Sequence, residues 1–167
     1  MKSPDDTSNS NNLLSDQFWM KVAFSLATSA KNLDEVPVGA VIVKDNAIVS
    51  TGLNLRQTSH QTSGHAEFLA VQKANKILKS WRLQGCTLYV TLEPCIMCSG
   101  LLYQSRIDRV VFGAFDPKAG AMGSLYDIHT DQRLNHQIDT TPLILQKECS
   151  DILTSFFRQK RRKKPPT

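Results

Sequence analysis

Residues 86–92, CTLYVTL, carry no charge, and a run of that kind reads as a strand buried in a sheet. A buried strand needs cover, and the flanking sequence supplies it by alternating strand and helix patterns. VPVGAVIV (36–43) is rich in β-branched residues, Asp45-Asn46 is a turn pair, and Ala47 to Thr51 returns as a second run, which together predict a hairpin. RVVFGAF (109–115) predicts another strand entering a Gly-rich loop over 116–124, and a weak fifth strand is expected near 137–141. Helices are predicted over Asp16–Ala30 with Ser15 as cap, His65–Leu78, Cys95–Gln104 and Leu145–Arg161, while the polar residues 54–64 predict a loop. In the first helix the apolar stripe is Phe18, Val22 and Leu26, widened by Trp19, Ala23, Ala27 and Ala30. The expected architecture is α/β, with one sheet between helices.

The length of 167 residues suits one domain with one core. That domain is expected over 15–161, after a disordered leader over 1–14 and before a basic disordered tail over 162–167. No apolar run approaches the ~20 residues that span a bilayer, and MKSPDDTSNSNN is not a secretory signal, so a cytoplasmic protein is expected. The net charge of +5 is concentrated at one end. Arg158, Lys160, Arg161, Arg162, Lys163 and Lys164 contribute six positive charges, and the remaining 14 basic residues face 15 acidic ones. Such an end suits a phosphate backbone, or simply keeps the chain in solution. The four cysteines, Cys86, Cys95, Cys98 and Cys149, are expected to be reduced in a cytosolic chain.

Chemistry concentrates in His65-Ala66-Glu67 and Pro94-Cys95-Ile96-Met97-Cys98, both at predicted helix starts. Unpaired backbone N–H groups there favour anions and thiolates. A spacing of three puts Cys95 and Cys98 on one helix face, and one imidazole with two thiolates makes a zinc set that leaves a fourth position for water. Glu67, two residues from His65, is placed to move protons rather than to bind metal beside it. A lone His at a helix start is more often a cap, and a lone C-x-x-C can be a redox pair or half of a structural zinc site. The two halves together favour one metal centre with a proton carrier.

This H-x-E with P-C-x-x-C is the zinc deaminase signature. With VPVGAVIV, TLYVTLEPCIMCSG, SRIDRVVFGAFDPKAGAMGSLYDI, LNH and EC…FFR, covering most of 16–162, the chain resembles the bacterial tRNA-specific adenosine deaminases of the cytidine/deoxycytidylate deaminase superfamily. The resemblance implies a three-layer α/β/α cytidine-deaminase-like sandwich with a central mixed sheet of about five strands. It implies one Zn²⁺ per subunit on His65, Cys95 and Cys98, with Glu67 as proton shuttle. The implied reaction is hydrolytic conversion of the wobble adenosine of a tRNA anticodon loop to inosine, with attack at C6 by zinc-activated hydroxide. By the same resemblance Asn54 meets the purine edge, Asp116 lies near a neighbouring sugar, Phe157 packs beside the splayed loop, and Lys160 and Arg161 lie near the RNA backbone. Family members are homodimers that bind the tRNA anticodon stem-loop.

Plainer roles stand beside these. Asn54 and Asp116 also suit turns, and one of Phe156 and Phe157 belongs to the core, with Phe156 expected inside. Two stretches depart from the family. Gln61-Thr62-Ser63-Gly64 stands where D-P-T-A is usual, which is expected to loosen that loop, and Phe115 stands where an Arg is common, which removes a phosphate contact. These departures leave room for a deaminase of free bases or nucleosides, of guanine or cytidine type. A catalytically silent RNA-binding zinc module is a third reading, against which Glu67 argues.

Overall fold

The structure is a computed structural model and describes residues 4–163, apart from the side chains of residues 4–12 and 14. Strand β3 (Cys86–Leu92) lies at the middle of a five-stranded sheet ordered β2-β1-β3-β4-β5. Its companions are β1 (Gly39–Lys44), β2 (Ala47–Leu53), β4 (Arg109–Ala114) and β5 (Asp139–Thr141). β1 runs antiparallel to β2 and β3, whereas β3, β4 and β5 are parallel, so the sheet is mixed as expected.

Strand alternation sends apolar side chains to both faces. Ala40, Ile42, Leu88, Val90, Val110 and Phe112 pack with α3 (Ala66–Leu78) and α4 (Ile96–Gln104) through Ala70, Val71 and Leu102. Their neighbours Val41, Val43, Tyr89 and Val111 pack instead with α1 (Pro4–Asn32) and α5 (Gln146–Lys163) through Trp19, Met20, Ala23 and Cys149. Central strands buried on both faces require helices on both sides, which gives the three layers. The Asp45-Asn46 hairpin forms as predicted, with positive φ of 50° and 58° at the two turn residues.

Several expectations are corrected. The first helix begins at Pro4, so Ser15 lies within it and caps nothing. Residues 1–3 of the expected leader lie outside the described residues, as do residues 164–167 of the expected tail; Arg162 and Lys163 belong to α5. The predicted stripe of α1 is buried at Trp19, Ala23, Ala27 and Ala30, and Val22 packs against the core, but Phe18 does not join it. Asp16, Met20, Ala23, Ala27 and Ala30 are buried, while Phe18 is 58% exposed. Asp16 accepts hydrogen bonds from Tyr89 Oη at 3.0 Å and from Arg109 at 2.9 and 2.7 Å, which tie α1 to β3 and β4. β1 starts at Gly39 rather than Val36, because Pro37 has no N–H for a ladder and Val38 N–H turns back to Val36 O. Within 54–64 a single helical turn, α2 (Arg56–Ser59), replaces part of the expected loop. A 3₁₀ turn over Ile128–Thr130 was not foreseen.

Parallel β3 and β4 end on the same edge of the sheet. The chain leaves β3 at Leu92 and enters α4 three residues after Glu93, so the start of α4 sits at that edge, where open α/β sheets place their sites.

Candidate active site and metal centre

His65 and Cys95 are the N-cap residues of α3 and α4, both in extended backbone conformation, and neither side chain makes a capping hydrogen bond. The imidazole and thiolate are therefore left for each other. His65 Nδ1 lies 3.6 Å from Cys95 Sγ and 3.6 Å from Cys98 Sγ, and the three ligand atoms lie within 4.8 Å of one another. Two ligands at tetrahedral angles, with zinc–nitrogen and zinc–sulfur bonds of about 2.0 and 2.3 Å, would stand about 3.5 Å apart, so the group fits the metal. Cys86 and Cys149 are buried elsewhere and do not join it; Cys149 Sγ fills the space above Gly113.

The three groups share protons. The Cys98 thiol donates toward Cys95, which, with help from the His65 hydrogen bond and against burial, brings Cys95 down to about 4. Holding that proton, and buried, Cys98 is shifted upward. The Cys95 hydrogen bond likewise raises His65. A metal cation would displace these protons, since ligating thiols bind deprotonated. Glu67 lies in the first turn of α3, buried, and that burial pushes its carboxyl up to about 7.

A cavity of about 610 Å³ opens over this corner. His65, Glu67 and Cys95 form part of its wall, and so do Asn54, Asp116, Phe157 and Arg161. Cys98 lies behind the wall, fully buried. Lys160 does not reach the cavity; its ammonium pairs with Asp34 at 2.5 Å. Phe156 is buried and Phe157 is 43% exposed, the division expected from the sequence. Asp116 keeps its turn role as well, since its Oδ1 accepts from the N–H groups of Lys118 at 3.0 Å and Ala119 at 3.3 Å.

Residues 14–161 match the MafB19-like deaminase family. The chain is 46% identical over 149 residues to the tRNA-specific adenosine deaminase of Bacillus subtilis strain 168, covering 89% of this chain and 92% of that one. The chain belongs to the tRNA-specific adenosine deaminase family. The Haemophilus influenzae (strain ATCC 51907 / DSM 11121 / KW20 / Rd) member is 43% identical, with 89% of this chain and 87% of that one aligned. A solved structure from work on A-to-I editing by tRNA:A34 deaminases at the wobble position superposes with a TM-score of 0.79 at 36% identity, covering 81% of this chain and 99% of that one. The guanine deaminase of Nitrosomonas europaea (TM-score 0.72, 19% identity, 84% and 83% covered) shares the fold.

Two buried carboxylates shape this deaminase's cavity and escaped the sequence reading. Glu93, 2% exposed, accepts from the N–H groups of Asp116 (2.9 Å), Met122 (2.9 Å) and Ser124 (3.0 Å) and from the Ser124 hydroxyl. Burying a carboxylate costs several kcal/mol, and charge-assisted bonds contribute roughly 1.5–3 kcal/mol each, so three or four of them offset it. The 116–124 loop thus wraps around Glu93, closely enough that a Cβ on Gly120 would lie 2.2 Å from Glu93 Oε2. Glu35 does the same on the opposite wall, for Asn54 and the start of α2. An acid at the end of an apolar strand, as in VTLEP, was the available signal for Glu93.

The departures from the family also read differently in three dimensions. Gly64 is hydrogen-bonded through both of its backbone groups: Leu55 N–H donates to Gly64 O at 2.9 Å, and Gly64 N–H donates to Gln61 O at 3.0 Å. A Cβ on Gly64 would lie 2.8 Å from Arg56 Cα, so the glycine lets α2 pack closely against the residue before His65. Phe115 packs edge-on against Phe112, with centroids 5.2 Å apart, and borders the cavity as an apolar wall.

Proposed function

We propose that this deaminase converts the wobble adenosine of a tRNA anticodon loop to inosine. The observation that carries the reading is the equal 3.6 Å separation of His65 Nδ1 from two sulfurs, with the Glu67 carboxyl in the same cavity. His65, Cys95 and Cys98 would hold one Zn²⁺ per subunit, which when bound supplies a Lewis acid that lowers the pKa of water. Glu67 carries the protons. It takes one from the attacking water, passes it to a ring nitrogen beside C6, and delivers the next to the departing amine, so that adenosine and water leave as inosine and ammonia. Its burial supports this work, because burial favours the protonated carboxyl and so moves its exchange of protons toward neutral pH.

The substrate reading rests on the 46% identity to a tRNA-specific enzyme and on the cavity rim. An adenosine in an RNA loop is cheaper to unstack than one in a helix, and unstacked bases are read by aromatic faces and hydrogen bonds at their edges. Asn54, Asp116 and Phe157 supply those functions at the rim, and Arg161 faces phosphate. Lys160 contributes less, being tied to Asp34. The working unit is read as a homodimer. Ile96 and Tyr126, both more than half exposed, border a surface depression beside α4 together with Asp127, Asp131 and Arg133, a mixed apolar and charged surface that a second copy would cover. No helix among the described residues is long and apolar enough to cross a membrane. The cytoplasmic assignment follows from the proposed tRNA substrate alone.

The test is incubation of zinc-loaded protein with an anticodon stem-loop bearing a wobble adenosine. Inosine is the expected product. No inosine from RNA, with ammonia released from free guanine or cytidine instead, would overturn the substrate assignment.

A further inference from the structure

Asn54 stands on the cavity wall, 6% exposed, and its carboxamide could present either its oxygen or its NH₂ to a ligand. Glu35 decides which. Its carboxylate is 1% exposed and accepts three hydrogen bonds: from Asn54 Nδ2 at 3.2 Å, Gln57 N–H at 3.3 Å and Thr58 N–H at 2.6 Å. A carboxylate only accepts, so the NH₂ of Asn54 has to face it. The two backbone bonds come from α2 and hold the carboxylate itself in place. Among the described residues nothing donates to Asn54 Oδ1, and the buried side-chain polar atom without a partner is His129 Nδ1, so Oδ1 is open to the cavity.

We infer that Glu35 is a positioning residue that fixes the Asn54 carboxamide with one acceptor and one donor toward the substrate, and thereby selects an aminopurine over an oxopurine. The inference rests on the adenosine reading above. The adenine edge carrying N6 and N7 offers a donor beside an acceptor, the complement of a carboxamide. In inosine or guanosine the same edge offers two acceptors, and Oδ1 would face one of them. Turned over, the carboxamide would set Oδ1 against N7 and its NH₂ against N6, matching adenine at neither position, whereas inosine meets one matched and one opposed contact in either orientation.

The test uses full-length, zinc-loaded protein and anticodon stem-loops with adenosine or inosine at the wobble position. Glu35→Gln can donate to Asn54 and let the carboxamide turn. It is expected to retain zinc, to lower kcat/KM on the adenosine loop about 10- to 100-fold, and to leave affinity for the inosine loop unchanged. In an Asn54→Ala background the same change is expected to add nothing. An unchanged preference, or losses that multiply in the double variant, would overturn the inference. Hydrogen exchange on the unmodified chain tests the contact without any variant. The Asn54 Nδ2 protons are expected to exchange at least about tenfold more slowly than those of exposed Asn46, and equal rates would overturn it. Editing by wild type with Glu35→Gln indistinguishable from it removes this inference alone, whereas a wild-type chain that makes no inosine removes the adenosine reading.

Discussion

His65, Cys95 and Cys98 come from two helix starts that the packed sheet brings together, whereas Asn54, Asp116 and Phe157 come from three segments separated along the chain. In the first region the core does the positioning: α3 and α4 rest on β1, β3 and β4 through fully buried Ala70, Val71, Leu102 and Phe112. In the second, loops are held by hydrogen bonds to Glu35 and Glu93. Chemistry that tolerates no displacement is placed on the rigid layer. Asn54 and the 116–124 loop are each gathered by one buried carboxylate, while Phe157 rides on α5. The two regions should therefore fail differently.

The largest effect is expected at the metal corner. Cys98→Ala removes a fully buried ligand without touching the cavity rim, and should abolish zinc retention in metal analysis and reduce editing beyond the ~10²–10⁴-fold that a lost proton carrier costs. Normal zinc content in that variant would break the assignment of the corner. Glu67→Gln should fall next, with zinc and RNA affinity kept and single-turnover rate lowered ~10²–10⁴-fold. Wild-type turnover there would show that the proton travels by another route.

The metal corner was legible in the sequence because ligand chemistry demands particular residue types, and a start of helix leaves a recognisable local pattern. Phe156 inside and Phe157 outside were legible for the same reason, through helical spacing. Glu35 and Glu93 were not. Whether a carboxylate is buried depends on N–H groups arriving from 22 or more residues away, and no local pattern reports that. The burial of Asp16 in α1 escaped likewise, because the Arg109 that holds it is 93 residues along the chain. Helical spacing did place Trp19, Ala23, Ala27 and Ala30 inside, and it failed at Phe18, which is exposed.

A change at Glu93 sharpens the contrast between the regions. Glu93→Gln, which cannot accept from every donor that the carboxylate serves, should loosen the 116–124 loop while His65 and the two cysteines keep zinc. A rim displaced by about 1 Å can cost roughly 10²-fold, so kcat/KM on the stem-loop should drop by up to that factor. Gly120→Ala should act in the same direction, because its Cβ would collide with the Glu93 carboxylate. Concurrent loss of zinc in either variant would mean that corner and rim are one unit.

The smallest effect, and the finest test, lies in two neighbouring cations of α5. Arg161 borders the cavity, while Lys160 is paired with Asp34, whose carboxyl that bond holds below its usual range. An exposed pair of this kind contributes little to stability, so any difference between the two should appear in RNA binding. Arg161→Ala should reduce the slope of log affinity against log salt by about 0.7–0.9, the share of one phosphate contact. Lys160→Ala should change it less, because Asp34 already neutralises that ammonium, and Asp34→Ala should steepen it by releasing Lys160 toward the phosphates. Equal slopes for the Lys160 and Arg161 variants would mean that the α5 cations act as a diffuse field rather than as placed contacts, and would detach the basic end from the geometry of the rim.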